Sequence, residues 1–104
     1  GLWNGGNIPF GYQNDDKRLV KHPQESACVQ FMFQFFAQDP SLTRLRAELH
    51  RRGWYSRSGK PWGKMTIDYI LSNPTYQGKV QFNDQVFQGE HEAIVEEGLF
   101  HKVQ

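Results

Sequence analysis

One cysteine in 104 residues, Cys28, rules out an internal disulfide framework and a CxxC zinc site. Its place in an apolar helical pattern makes it a small buried hydrophobe, and a reducing, cytoplasmic setting fits. No apolar run approaches the ~20 residues that span a bilayer; the richest, Phe31–Ala37, is broken by Gln34. No charged-then-apolar leader stands at Gly1, which reads as a piece excised from something longer. GxGxxG and GxxxxGK[ST] are missing, so no nucleotide-binding loop is expected. HExxH and His-x-His are missing too, and none of Ser26, Ser41, Ser56, Ser58 or Ser72 has a base at motif spacing. His22, His50, His91 and His101 read as surface or capping residues. Asp15-Asp16 reads as a turn, and Glu96-Glu97 as the acidic start of a helix. No catalytic residue, metal or cofactor is expected.

Acidic residues are scarce in one place. Between Arg44 and Lys64 seven cations meet one acid, Glu48, a net of +6; the other residues carry five cations and ten acids, a net of −5. The formal total of +1 therefore hides one basic face and an acidic remainder. Trp54, Tyr55 and Trp62 are interleaved with those cations. Cations neutralise phosphates, and hydroxyls such as Ser56, Ser58 and Thr66 can donate to phosphate oxygens. A solvated helix face with two core tryptophans explains the aromatics equally well. It explains less well the near absence of acid.

Four glycines and a proline in GLWNGGNIPFGY forbid a helix there, leaving a loop anchored by Trp3, Phe10 and Tyr12. Leu19–Lys21 suits a short extended segment. His22 precedes Pro23, which suits the first turn of a helix over 23–38. Its apolar stripe is read as Ala27, Phe31 and Phe35 with Cys28, Met32 and Phe36. Asp39-Pro40 ends it, and Ser41 caps a second helix over 42–52 with Leu42, Leu45 and Leu49 on one face. Gly53 is the left-handed stop. After the loop 56–63, a third helix over 64–72 buries Ile67, Ile70 and Leu71, and Asn73-Pro74 closes it. The period then changes to two. Residues 79–82 and 85–87 flank Asn83-Asp84 as a hairpin. His91–Val95 adds an extended piece, and a terminal helix runs from Glu96 to Gln104. The class is α+β, mostly α: helix-turn-helix-like, in the winged manner, with a small β-hairpin.

Five segments, in order, carry a family likeness: GLWNGGNIPFGY (1–12), LVKHPQESACVQFMF (19–33), SLTRLRAELHRRGW (41–54), SGKPWGKMTIDYILSNPTYQGKV (58–80) and HEAIVEEGLFHKVQ (91–104). The chain resembles the recombinase domain of large serine recombinases, the phage-integrase and transposase type. The resemblance implies a single DNA-binding domain over 1–104. It also implies a parent enzyme whose serine nucleophile and zinc ribbon lie in neighbouring domains. The partner would be double-stranded DNA, with no membrane, and site-specific recombination the parent's activity. The parent would act as a dimer or tetramer on DNA, and this chain alone would be a monomer. Gly63 stands where the family often has Ser or Thr, which weakens the cap of the third helix, and Asp68 puts an acid on it.

On that reading Arg51, Arg52, Arg57 and Lys60 contact phosphate. Ser58, Lys64, Thr66 and Tyr69 contact bases or a groove, with Trp62 as the packing anchor. Asn4 and Asn7, with Gly5 and Gly6, let backbone amides approach phosphates or a groove. About five neutralised phosphates would give a log-log salt slope of roughly −4 to −5. Two other classes fit the residues: a stand-alone winged-helix transcription regulator, and a protein-interaction module using exposed aromatics.

Overall fold

The punctuation read from the sequence recurs as hydrogen bonds in the computed structural model, which describes residues 8–16, 18–82 and 85–104. Helix α1 spans Pro23–Gln38; His22 is extended, and its Nδ1 accepts from the Glu25 amide at 3.1 Å. Helix α2 spans Leu42–Arg51, and the Ser41 hydroxyl accepts from the Arg44 amide. Its end is a Schellman turn. Gly53 adopts φ 74°, its amide donates to the His50 carbonyl, and the Trp54 amide donates to Leu49. Helix α3 spans Lys64–Ser72 and starts at Gly63 with no side-chain cap, as the glycine there foretells. A 3₁₀ turn over Pro74–Gln77 follows, closed by Gly78 at φ 78°. The last helix, α4, spans Glu97–Val103. No helix among the described residues is long and apolar enough to cross a membrane.

Two antiparallel hairpins complete the fold. Strands β3 (Lys79–Phe82) and β4 (Gln85–Gln88) pair in the expected register, Phe82 opposite Gln85; their Asn83-Asp84 turn lies outside the described residues. The other hairpin, β1 (Tyr12–Asp15) with β2 (Arg18–Lys21), was only half legible. Leu19–Lys21 does lie in a strand, but its partner runs from Tyr12, read as the end of a loop, to Asp15, read as part of a turn. The turn uses Asp16 at φ 53°, a left-handed conformation aspartate tolerates better than most residues.

Two other expectations are corrected. The buried stripe of α1 is Cys28, Val29, Met32 and Phe33, while Ala27 is exposed and Phe31 and Phe35 are half-buried. The helix is turned toward α4 and the 3₁₀ segment, where Phe33 meets Phe100 (ring centroids 5.7 Å) and Tyr76 (6.3 Å). Phe31 instead packs edge-on against Trp54. His91–Val95 is not a strand. The amides of Ile94 and Val95 both donate to one acceptor, the Tyr76 carbonyl, which anchors a coil rather than a ladder.

The core gathers around two fully buried tyrosines whose hydroxyls join distant segments. Tyr12 Oη donates to the carbonyls of Glu92 (2.6 Å) and Thr75 (3.2 Å), and Tyr76 Oη donates to Phe10 (2.6 Å). Beside Tyr12 lies His91, 7% exposed and so neither a surface nor a capping histidine. Its Nε2 donates to the Thr75 carbonyl at 2.8 Å, and its buried Nδ1 has no partner among the described residues. Burial holds its pKa below the usual 6.5, outweighing the bond to Thr75. The fold accepts the neutral ring, whereas the unfolded chain takes up a proton near 6.5. The contribution is therefore present above that pH and lost as pH falls. Thermal melts from about pH 7.5 to 5.5 should show the wild type losing stability and His91→Gln following a flatter course. Parallel curves would show that His91 does not titrate against the fold.

Candidate nucleic-acid interface

The basic stretch occupies the end of α2, the loop Arg52–Gly63 and the start of α3. That loop exceeds the three- or four-residue turn of a simple helix-turn-helix, and it has its own structure. The Ser56 amide and hydroxyl both donate to the Lys60 carbonyl, at 3.0 and 2.9 Å. The Gly59 amide returns to Ser56, with Gly59 at φ 81°. Ser58 pairs with Ser56 through their hydroxyls. Residues 56–60 thus form a closed loop that holds Lys60 and Ser58 at the surface.

Trp62, 4% exposed, fastens this loop to the core. Its ring meets Phe10 edge-on at 4.8 Å. It walls two surface depressions. One, of about 510 Å³, is lined by Ile8–Phe10, Ser56, Ser58, Thr66, Tyr69 and others; the second is lined by Thr43, Arg46, Ala47, His50 and Pro61. Ser58, Thr66 and Tyr69, three of the four residues nominated from the sequence as base or groove contacts, therefore line one groove.

Four of the seven cations have carboxylate partners. Arg44 holds Asp39 through two hydrogen bonds. Arg51 and Arg52 both hold Glu48, whose carboxyl is lowered to about 2 by the bonds from Arg51 and then Arg52. The Arg52 guanidinium also lies 4.4 Å over the Phe31 ring. Arg57 is the most heavily engaged. Its Nε and Nη2 grip Glu25 at 3.0 and 2.7 Å, Nη1 donates to the Ile8 carbonyl at 2.7 Å, and Nη2 reaches those of Pro9 and Tyr12. Glu25 also accepts from the Gly11 amide. Burial alone would raise the Glu25 carboxyl, but the bonds from Arg57 and Gly11 and the Arg57 charge lower it below its usual value.

Arg57, expected to contact phosphate, also cross-links the loop, α1 and the N-terminal segment. Arg51 ends α2 and Arg52 is its C-cap; both are engaged with Glu48 and line neither depression. Asn4 and Asn7 lie outside the described residues. Within the basic stretch, the cations without a carboxylate partner among the described residues are Arg46, Lys60 and Lys64, all exposed. Arg46 was not singled out from the sequence. Its signal was there: it falls on α2 away from Glu48's two arginines, with no acid at i±3 or i±4.

The Recombinase family model matches residues 23–104. Among solved structures, one described as the crystal structure of an LSR–DNA complex is 27% identical, with a TM-score of 0.85. A second, described under the sequence requirements of the Listeria innocua prophage attP site, has the same identity and score. Both matches cover 100% of this chain but only 33% and 44% of those chains, so this chain spans less than half their length. A comparison with curated proteins finds no match.

Proposed function

Because this chain belongs to the Recombinase family, the recombinase domain of large serine recombinases, we propose that it contacts half-site duplex DNA while a longer recombinase exchanges strands. The observation that carries this reading is that two depressions meet at Trp62 beside α3, one lined by Ser58, Thr66 and Tyr69 and the other by Arg46, with exposed Lys60 in the loop before α3 and exposed Lys64 as its first residue. The cations supply phosphate contacts that any sequence offers, and the Ser58 and Thr66 hydroxyls orient the helix on the backbone. The hairpin β3–β4 follows α3 in the position of a wing. Strand cutting and rejoining belong to a nucleophile elsewhere in the longer protein, which assembles on DNA as a dimer or tetramer while this chain alone is a monomer. The family match favours this reading over a stand-alone regulator or an interaction module.

Three uncommitted cations lower the expected salt dependence. Anisotropy titrations of this chain with random duplex DNA at several salt concentrations should give a log-log slope of about −3, rather than the −4 to −5 of five phosphate contacts. Converting Lys60 and Lys64 to alanine should make the slope shallower by about two. A wild-type slope near zero sinks the electrostatic reading. A slope at the steeper value would mean that Arg51 and Arg52 leave Glu48 for phosphate.

A further inference from the structure

Helix α3 carries a stripe that phosphate binding does not use. At about 100° per residue, positions 65, 68, 69 and 72 fall on one face, opposite the buried Ile67, Ile70 and Leu71. Lys64 and Thr66 lie on its two flanks. The stripe reads Met65, Asp68, Tyr69, Ser72. Ser72 is turned inward along the helix, its hydroxyl donating to the carbonyls of Asp68 and Tyr69. Met65 is 88% exposed and Tyr69 68%, the two most exposed large hydrophobic side chains among the described residues. Asp68 is exposed and has no cationic partner among them. None of the three does anything visible for the fold.

We propose that Met65, Asp68 and Tyr69 read base identity in the major groove, the apolar pair favouring thymine and the carboxylate favouring cytosine; this rests on the DNA-binding reading above. The Met65 side chain and the Tyr69 ring gain nothing from phosphate, but the thymine C5 methyl is an apolar group on the groove floor that they can cover. Asp68 is repelled by phosphate and needs a donor. Cytosine offers its N4 amino group, whereas the adenine N6 donor stands beside the N7 acceptor, which opposes a carboxylate. A helix about 10–12 Å across enters a groove about 12 Å wide, with its flanks toward the two phosphate walls. Lys64 and Thr66 occupy those flanks. The same acid lowers affinity for unmatched sequences, so Asp68 trades non-specific binding for selectivity.

The test begins by enriching binding sequences from a randomised duplex library with the wild-type chain. Deoxyuridine is then placed at each enriched thymine in turn, which deletes the methyl and leaves base pairing intact. Wild type should bind about fourfold more weakly at one or more such positions, the value of one buried methyl. That loss should vanish in Met65→Ala or Tyr69→Ala. Asp68→Ala should bind random duplex more tightly and lose its preference at a C·G pair. These positions are exposed, so thermal melts of the variants should match wild type. The inference is overturned if the library enriches no sequence, if deoxyuridine costs wild type and both alanine variants equally, or if Asp68→Ala keeps the wild-type preference. Failure of wild type to bind random duplex at low salt would overturn the DNA-binding reading itself.

Discussion

Trp62→Ala should lower the unfolding free energy by about 3–5 kcal/mol, the range for emptying a large aromatic site. For a domain of this size that is a fall in melting temperature of roughly 15–30 °C. Trp62 is 4% exposed, meets Phe10 edge-on, and forms a wall of both depressions beside α3. Its neighbours Pro61 and Gly63 leave the loop few other apolar contacts with which to collapse onto the space. The indole Nε1 is buried without a partner among the described residues, so truncation costs packing and no hydrogen bond. Trp62→Phe should therefore recover most of the loss. Circular-dichroism melts of the two variants check both statements. An alanine variant that melts with the wild type would show that the loop is anchored elsewhere.

Arg57→Ala should destabilise the fold by about 2–3 kcal/mol, somewhat below the cost of breaking a fully buried pair because the Arg57 side chain is 47% exposed. Its partner Glu25 is only 15% exposed, and without Arg57 it keeps the Gly11 amide alone. Arg57→Lys should rescue little, since an ammonium cannot span a carboxylate and three carbonyls with the geometry of a guanidinium fork. A double-mutant cycle with Glu25→Gln, read in denaturant, should return a coupling of about 1–2 kcal/mol. DNA binding, measured where each variant is folded, should keep the wild-type salt slope. If Arg57→Ala melts normally and its slope is shallower by about one, Arg57 is a phosphate ligand and the cross-link is incidental.

These two residues show where the sequence was readable. Trp62 sits between Pro61 and Gly63 in a polar loop, and an isolated large aromatic in such a setting has little to do but enter a core. The first three helices could be placed because they are bounded by residues with one dominant local habit: His22-Pro23, Ser41, Gly53 and Asn73-Pro74. The ion pair of Arg57 was not legible because its partners are remote: Glu25 lies 32 residues away and Ile8 49. Charge counting assigns a cation to solvent or ligand and has no way to see a carboxylate that arrives through the fold. The first hairpin escaped for a related reason. Tyr12 is buried by contacts with residues 75 and 92, while glycines nearby made its segment look like loop. Residues at the start of α3 were legible as a group, since hydroxyls and lysines within one loop and one helix turn must lie close together.

The bond between Tyr12 and Glu92 also sets a timetable. Its two ends are 80 residues apart in the chain. At a synthesis rate of about 5–20 residues per second, Tyr12 leaves the peptidyl-transferase centre roughly 4–16 s before Glu92 is added. Through that interval α1 and α2 can form from local signals, but the β1 strand lacks the acceptor that holds its tyrosine. Closing so long a loop is entropically costly, so the seam between the first and last segments is a late event in assembly. The nascent chain therefore makes its basic loop before the far end has locked the opposite side of the molecule.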